Sequence, residues 1–486
     1  MPSDEARIPS RSAIELEPTT VFALTTVLAA TLYFYRLGAA SLGASEAYAA
    51  WAAAMPSPMS IVHIAVPLDP GKQVLYYILL HYFTGVFGMS EASLRALSPV
   101  FGVATIAILF VLARAMFTDS VAASAVVLWA FNPVILLLAR RARMYPMLAA
   151  VALAHFMLLW QLRRKPSWPR AIACGFFGAL AIYTHLAALL LVGAEAAMLL
   201  RDFIRGRRNP MAWLALAIAL VLFLPYFPIF STQSDQMVHG HWLDWISTGY
   251  NFSLAAKALV AIVAAAISLA IVFGPSNEDN PDEPLRWCLA WGLLPVIAFL
   301  SGTVIIRPMF HIRYLIPCVA MIALILARVL EGFGSKVRNL AVVGITVVLL
   351  VLVPIKEITH EPWRDIAATI TAQAPPNQPI FFESGFLFFD KSEGEANPGF
   401  PTGYYRNAFD YYFRGANPRV AVPGWNSVEA KAIILRRTSE AGGGWLITWK
   451  SARDARLELP HADAFHITQL VDYHLIALYR LEPVSR

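Results

Sequence analysis

The sequence Ser45-Glu46-Ala47-Tyr48 lies near the start of a polar stretch, residues 38–95, that follows the first apolar run of the chain. The same stretch contains Leu68-Asp69-Pro70-Gly71-Lys72 and, further on, Ser90-Glu91-Ala92-Ser93-Leu94-Arg95. Nearly all of the remaining sequence is apolar enough to lie in a bilayer. Ionisable residues at membrane depth cost free energy and usually have a function, so we expect the chemistry in this stretch.

The composition predicts an integral membrane protein. The 486 residues are 58% hydrophobic and only 14% charged, and the mean hydropathy is +0.57. Soluble domains usually contain about 25% charged residues. The net charge of +6 is spread over short loops and forms no basic face, so membrane lipids rather than nucleic acid are the expected partner.

The apolar runs predict a polytopic α-helical fold with about eleven transmembrane helices, since one span needs about 20 apolar residues. The first run lacks a small-residue cleavage site and is expected to remain as an anchor. The N-terminal tail is residues 1–19 and the transmembrane domain is residues 20–355. The runs lie near 20–37, 93–113, 120–139, 144–162, 169–184, 186–203, 211–230, 255–274, 286–303, 312–330 and 338–355.

Basic residues set the expected orientation. Loops rich in Lys and Arg alternate with loops that are poor in them, and the rich loops are expected in the cytoplasm together with the N-terminus. Residues 38–92, 140–144, 231–254, 304–311 and everything after 356 then lie outside. This topology requires residues 73–88 to lie in the membrane interface rather than to cross.

Residues 356–486 differ in composition and predict a small α+β extracytoplasmic domain with strands at 380–382 and 474–478. The aromatic stretch 404–413 is either a surface that contacts the membrane or an acceptor-binding surface. Gly442-Gly443-Gly444 is not followed by a predicted helix, so we expect no phosphate-binding loop there.

The polar residues predicted to face outward include few carboxylates and many cations. This balance suits an anionic ligand such as a phosphate, with a carboxylate nearby to take a proton. Each position also has a structural interpretation, such as a headgroup anchor or a polar residue at a turn. The set comprises Glu46, Asp69, Lys72, Arg140, Arg141, Arg143, Tyr145, His185, His239, His241, Asp244, Arg307, His311, Arg313 and Tyr314.

No cofactor is predicted. His239, His241 and Asp244 are a weak metal signal, and a divalent metal is possible but not indicated. Cys174, Cys288 and Cys318 lie in apolar runs without metal-ligand spacing, so neither a disulfide framework nor a zinc site is expected.

Taken together, these stretches resemble the GT-C superfamily of membrane glycosyltransferases, in particular the dolichyl-phosphate-mannose protein mannosyltransferases (family 39) and the lipid A aminoarabinose transferases. The resemblance rests on an ordered set of motifs across residues 20–355, with a weaker one at Trp363-Arg364. The motifs are Ser45-Glu46-Ala47, Lys72-Gln73-Val74-Leu75-Tyr76-Tyr77, Ser90-Glu91-Ala92-Ser93-Leu94-Arg95, Arg141-Ala142-Arg143-Met144-Tyr145 and Arg313-Tyr314-Leu315-Ile316-Pro317.

The resemblance implies inverting transfer of a sugar from a polyprenyl-phosphate donor to a lipid, glycan or protein acceptor at the outer face of the cell (inner) membrane. It places Glu46 at the second acid of the family's acidic pair and Lys72 at a phosphate-binding position. Arg143 and Tyr145 match later carrier-phosphate contacts. The expected carrier site comprises Lys72, Tyr76, Arg141, Arg143, Tyr145, His185, Arg313 and Tyr314.

The chain departs from the family pattern at three places. Ser45 replaces the first, catalytic acid, Gln73-Val74 replaces a Pro-Pro pair, and Arg141 replaces a Glu. Glu46 or Asp69 is therefore expected to act as the base. The alternatives are a non-catalytic homologue that binds lipid-linked sugar and a transporter or flippase of a lipid-linked solute.

Overall fold

The computed structural model describes residues 16–66, 73–231, 253–274, 283–306, 312–352, 361–383, 404–422, 428–448, 465–473 and 476–484. Most of these residues are helical. The helices up to residue 352 are α1 Pro18–Phe34, α2 Ala44–Ala53, α3 Pro58–Ser60, α4 Val74–Phe87, α5 Glu91–Met116, α6 Asp119–Ala130, α7 Pro133–Ala139, α8 Tyr145–Arg164, α9 Trp168–Thr184, α10 Ala188–Ile204, α11 Pro210–Phe223, α12 Leu254–Phe273, α13 Glu283–Ile305, α14 Ile316–Glu331 and α15 Ser335–Leu352.

Six helices within the described residues are long and apolar enough to cross a membrane, or seven if α6 and α7, bent by 62°, form one broken span. The bend follows from Asn132-Pro133, because Asn132 caps α7 and Pro133 cannot continue α6. Each predicted run overlaps a helix, but α1 and several others are shorter than a typical span. The number of eleven crossings therefore stays a prediction, as does the interfacial position of α4.

Small residues allow the bundle helices to approach closely. A Cβ atom on Gly175 would lie 2.6 Å from the Ile218 side chain, and one on Gly102 would lie 3.1 Å from the Tyr33 ring. One buried acid inside the bundle is paired with residues of two other helices. Glu195 accepts hydrogen bonds from His155 Nε2 (2.7 Å) and Trp291 Nε1 (2.8 Å), so each of its carboxylate oxygens has a partner.

The C-terminal residues contain a five-stranded sheet in the order β2-β1-β3-β5-β4. The first three strands in that order are parallel, and β5 pairs antiparallel with both β3 and β4. The prediction of a strand at 380–382 is confirmed, and 476–478 of the second predicted strand lie in β5. The elements are α16 Trp363–Gln373, β1 Ile380–Glu383, α17 Tyr404–Tyr412, β2 Arg419–Val422, α18 Val428–Ala441, β3 Gly444–Thr448, β4 Phe465–Tyr473 and β5 Ile476–Pro483.

The glycine triplet is a turn between α18 and strand β3. Gly443 has φ +155°, and a Cβ atom there would lie 2.3 Å from Gln378 Nε2, so only glycine fits. A strand rather than a helix follows, in agreement with the prediction that this turn is not a phosphate-binding loop.

The aromatic helix α17 packs on residues 38–95. Tyr411 donates a hydrogen bond to the carbonyl of Met89, and Leu42 N donates to Tyr412 Oη (2.6 Å). The hydroxyl groups of this helix therefore hold the C-terminal part against residues 38–95. This contact differs from the two roles, membrane contact and acceptor binding, that the sequence suggested for the stretch.

Candidate active site

Glu46 lies in the first turn of α2 and is tied to Arg95 in the first turns of α5. Arg95 Nε donates to Glu46 Oε1 and Arg95 Nη2 to Glu46 Oε2, both at 2.8 Å. The two side chains are each 6% exposed. Oε1 also accepts the N–H of Ala142 (2.9 Å) and Oε2 that of Gly43 (3.0 Å). Both carboxylate oxygens are thus occupied by two donors each.

This environment keeps Glu46 ionised. Burial alone would raise the pKa of Glu46, but the hydrogen bonds and charge of Arg95, with the N–H groups of Ala142 and Gly43, lower it below the usual range. A carboxylate with a low pKa and four hydrogen bonds is a poor proton acceptor. The geometry therefore supports a positioning role for Glu46, and the catalytic role stays a prediction.

Arg95 extends this arrangement to the loop before α2. Its Nη1 donates to the carbonyls of Leu37 (2.6 Å) and Ala40 (2.9 Å), and its Nη2 donates to that of Ser41 (2.9 Å). Arg95 was visible in the sequence only as part of a motif, and its role was missed. An arginine four residues into an apolar helix was the signal that could have identified it.

Five of the predicted carrier residues, from three separate segments, come together in the structure. His185 and Tyr314 have ring centroids 4.8 Å apart, and Tyr145 lies 6.2 Å from His185 and 6.3 Å from Tyr314. Arg143 lies 6.0 Å from the centre of the Tyr145 ring, and Arg313 lies 5.9 Å from the same ring. We call Arg143, Tyr145, His185, Arg313 and Tyr314 the cation cluster.

The side chains of Tyr76 and Ser98 hold the main chain of the cluster residue Arg143 in place. Tyr76 Oη lies 3.0 Å from Ser98 Oγ, and Ser98 Oγ donates to the carbonyl of Arg143 (2.9 Å). Arg143 Nη1 donates to the carbonyl of Ser45 (2.9 Å). Tyr76 is thus placed behind the cluster, as support for the segment that carries Arg143. Ser98 was not predicted, and a lone serine within an apolar helix gives no sequence signal.

The main chain sets the tautomer of the neutral His185 ring. Its Nδ1 accepts the N–H of Ala187 (3.1 Å), so in the neutral ring the hydrogen is on Nε2. The cluster thus brings two guanidinium groups, the His185 ring and the Tyr145 and Tyr314 rings close together. Arginine forks bind phosphate oxygens in pairs, so this donor set suits a phosphate or a similar anion.

The remaining predicted residues lie elsewhere or outside the described residues. Arg141 is near the cluster in sequence, but its charge acts on the carboxylate of Glu361. Arg140 donates to the carbonyl of Tyr35 (2.8 Å). Asp69, Lys72, His239, His241, Asp244, Arg307 and His311 lie outside the described residues. Within the described ranges, no group of three or more His, Cys, Asp or Glu residues could hold a metal ion.

Glu361 is a second carboxylate at the start of α2, and sequence reasoning missed it. Its Oε2 accepts the N–H of Ala44 (2.7 Å) and Nε1–H of Trp363 (2.7 Å). Its main-chain carbonyl accepts a hydrogen bond from Ser41. Glu361 is separated from Trp363-Arg364 by one proline. The weak family motif at Trp363-Arg364 was therefore the available signal.

The comparisons with known proteins agree with the resemblance seen in the sequence. Residues 72–229 match the family model described as dolichyl-phosphate-mannose-protein mannosyltransferase. No curated protein sequence matches the chain.

The fold matches those of solved membrane glycosyltransferases. ArnT from Cupriavidus metallidurans bound to undecaprenyl phosphate is 16% identical, with a TM-score of 0.58 over 95% of this chain and 98% of that chain. The apo state of the same ArnT gives a TM-score of 0.60 at 16% identity and the same coverage. An oligosaccharyltransferase from Archaeoglobus fulgidus, in complex with Zn and sulfate, has a TM-score of 0.50 at 12% identity over 92% of this chain and 71% of that chain.

Proposed function

We propose, from the GT-C fold that this chain shares with those enzymes, that the protein is an inverting glycosyltransferase. It moves a sugar from a polyprenyl-phosphate donor to a lipid, glycan or protein acceptor at the outer face of the membrane. The C-terminal sheet domain, residues 356–486, lies on the same outer side. The observation that carries the proposal is the cation cluster, in which residues from three outer segments converge.

The cluster binds the carrier phosphate. Arg143 and Arg313 lie 6.0 Å and 5.9 Å from the centre of the same Tyr145 ring, and we assign both guanidinium groups to one phosphate. Their charge stabilises the phosphate as the bond to the sugar breaks, because negative charge builds up on the leaving oxygen. Lys72 adds a third cation in this proposal, as the resemblance implies.

The carboxylate–arginine pair of α2 and α5 positions this site. Glu46 and Arg95 join α2, the 37–41 loop and the N–H of Ala142, which is next to Arg143. A buried bidentate pair holds its partners in one geometry, and positioning to within a fraction of an ångström is what displacement at a sugar carbon requires. The sequence's two candidates for the base, Glu46 and Asp69, stay predictions.

The experiment is binding of undecaprenyl phosphate to the purified full-length protein. Arg143→Gln and Arg313→Gln should each weaken binding by about 10- to 100-fold, since a hydrogen bond to a charged group contributes about 1.5–3 kcal/mol. Arg338→Gln is the matched control, because Arg338 is half-buried on α15, away from the cluster in sequence, and its described side-chain hydrogen bond goes to the adjacent Asn339.

Mass spectrometry of surface glycolipids and glycoproteins, from cells with and without the gene product, then identifies the sugar and acceptor. One missing sugar mass is the expected result. Unchanged glycans, together with binding that Arg143→Gln and Arg313→Gln leave intact, contradict the proposal. Carrier binding without any missing sugar mass indicates a non-catalytic homologue instead.

A further inference from the structure

Glu361 places an ionisable group beside the first turn of α2. One of its oxygens, Oε2, is fixed by Ala44 N and Trp363 Nε1. The other, Oε1, accepts no hydrogen bond from any of the described residues. It lies over Gly43, where a Cβ atom would be 3.2 Å away, and the whole residue is only partly buried. Glu361 therefore has a fixed side chain with one available oxygen.

The same helical turn joins Glu361 to the cation cluster. Ala44 donates to Glu361, and the next residue, Ser45, accepts from Arg143 Nη1 (2.9 Å). The carboxylate and the guanidinium group are thus held by consecutive residues. The resemblance places Ser45 at the position where the related enzymes carry an acid. Glu361, a carboxylate from the C-terminal part of the chain, therefore lies next to a position that lacks the family's acid.

The two carboxylates near this turn differ in charge environment. Burial raises the pKa of Glu361 above the usual value, and the negative charge of Glu46 adds to that effect. Trp363, Ala44 and the positive charge of Arg141 act in the opposite direction without cancelling it. Glu46 is saturated and has a lowered pKa. Of the two, Glu361 is the better proton acceptor near neutral pH.

We propose that Glu361 Oε1 is the general base that activates the acceptor hydroxyl group, an inference that rests on the proposed function. The hydroxyl oxygen forms a bond to the anomeric carbon of the donor sugar as its proton passes to Oε1. The bond between that carbon and the phosphate oxygen breaks, and its electron pair leaves with the polyprenyl phosphate. The proton on Glu361 then passes to water, which restores the carboxylate.

Glu361 also caps α2, so the test must separate a cap from a base. Glu361→Gln does this, because the amide oxygen can still accept the N–H groups of Ala44 and Trp363 but cannot take up a proton. Glu429→Gln is the matched control, since Glu429 is exposed on α18. Each variant is produced in cells that lack the gene, at matched protein level. The readout is the rate at which the missing sugar mass returns.

Glu361→Gln should lower this rate by roughly 10²- to 10⁴-fold, the usual contribution of a general base, and Glu429→Gln should leave it unchanged. Binding of undecaprenyl phosphate and the Tm of purified Glu361→Gln should match those of the wild type. The wild-type rate should rise as the pH of the medium rises through the pKa of Glu361, with a midpoint above that of an ordinary glutamate. The environment that sets this midpoint comprises Glu46, Arg141 and Trp363.

The failures of the two proposals are distinguishable. A normal rate for Glu361→Gln, in cells where the wild-type protein restores the sugar, overturns the base assignment and leaves the glycosyltransferase intact. Absence of both sugar loss and undecaprenyl phosphate binding overturns both. If Glu361→Gln lowers the Tm, the wild-type pH profile decides, because a midpoint at or below that of an ordinary glutamate overturns the assignment.

Discussion

The Glu46–Arg95 pair and the cation cluster lie on neighbouring segments, yet their charges are arranged in opposite ways. In the pair, four donors meet the two oxygens of one carboxylate, and both side chains are 6% exposed. In the cluster, the guanidinium groups of Arg143 and Arg313 lie 6.0 Å and 5.9 Å from the centre of the Tyr145 ring. The first arrangement gives one carboxylate four donors, whereas the second gathers two positive charges beside aromatic rings, the arrangement that we propose binds an anion. Arginines that look alike in the sequence therefore have different roles: Arg95 fixes the structure, whereas Arg143 and Arg313 are proposed to bind the ligand.

The largest expected effect is at the pair. Arg95→Met should lower the free energy of unfolding by about 3–5 kcal/mol, because it leaves the buried charge of Glu46 without its partner. Adding Glu46→Gln to this variant should recover part of the loss, since the unpaired charge is then gone. The measurement is thermal or denaturant unfolding of the full chain in detergent.

Arg114→Met is the control for this cycle. Arg114 pairs with Asp119 at 2.8 Å, but these side chains are 46% and 50% exposed. An exposed pair of this kind contributes at most about 1 kcal/mol. If Arg95→Met and Arg114→Met prove equally mild, the buried pair does not organise the site, and the contrast between the two regions is lost.

Much of the contrast was accessible from sequence. Arg143, Tyr145, His185, Arg313 and Tyr314 were all assigned to outer segments from the pattern of basic loops, and the structure brings them together. The reason is geometric, because span ends on one side of a membrane meet in one layer. Element boundaries, such as the strand at 380–382, followed from local apolar patterns.

The partners of the acids were not accessible. Glu46 looked like the base because it is an acid in a polar stretch, and nothing local shows that Arg95 and Ala142 N saturate it. Glu361 meets Ala44 from 317 residues away along the chain, so no local pattern links them. Tertiary contacts decide whether a carboxylate is committed or available, and these are the contacts that sequence periodicity does not encode.

A smaller effect is expected where the two regions meet, at Ser98. Ser98→Ala removes the contact with Tyr76 Oη and the donor to the carbonyl of Arg143. It should destabilise the protein by about 1–3 kcal/mol, because buried polar atoms lose a partner. Affinity for undecaprenyl phosphate should also fall several-fold, since the segment that carries Arg143 is no longer fixed.

Thr105→Ala is the control for Ser98→Ala. Thr105 is also a buried hydroxyl residue of α5, but it bonds only to the carbonyl of Phe101 within the same helix. Thr105→Ala should lower the stability of the protein without lowering its affinity for undecaprenyl phosphate. The same result for Ser98→Ala contradicts the idea that this serine links the pair to the cluster.

The smallest effect on stability, and the sharpest test of the cluster, is expected at Tyr145. Its hydroxyl is buried and has no hydrogen-bond partner among the described residues, whereas the Tyr33 hydroxyl donates to the carbonyl of Ala130 (2.8 Å). Tyr145→Phe should therefore leave the free energy of unfolding within about 0.5 kcal/mol of the wild type or raise it, while Tyr33→Phe should lower it by about 1 kcal/mol.

For undecaprenyl phosphate binding, the larger effect is expected at Tyr145 and not at Tyr33. Tyr145→Phe should weaken undecaprenyl phosphate binding by about 3- to 10-fold, the range expected for one hydrogen bond, and Tyr33→Phe should leave it unchanged. A Tyr145 hydroxyl that matters to neither measurement would mean that the carrier phosphate binds away from this ring, and the cluster would then be a packing feature of the outer span ends.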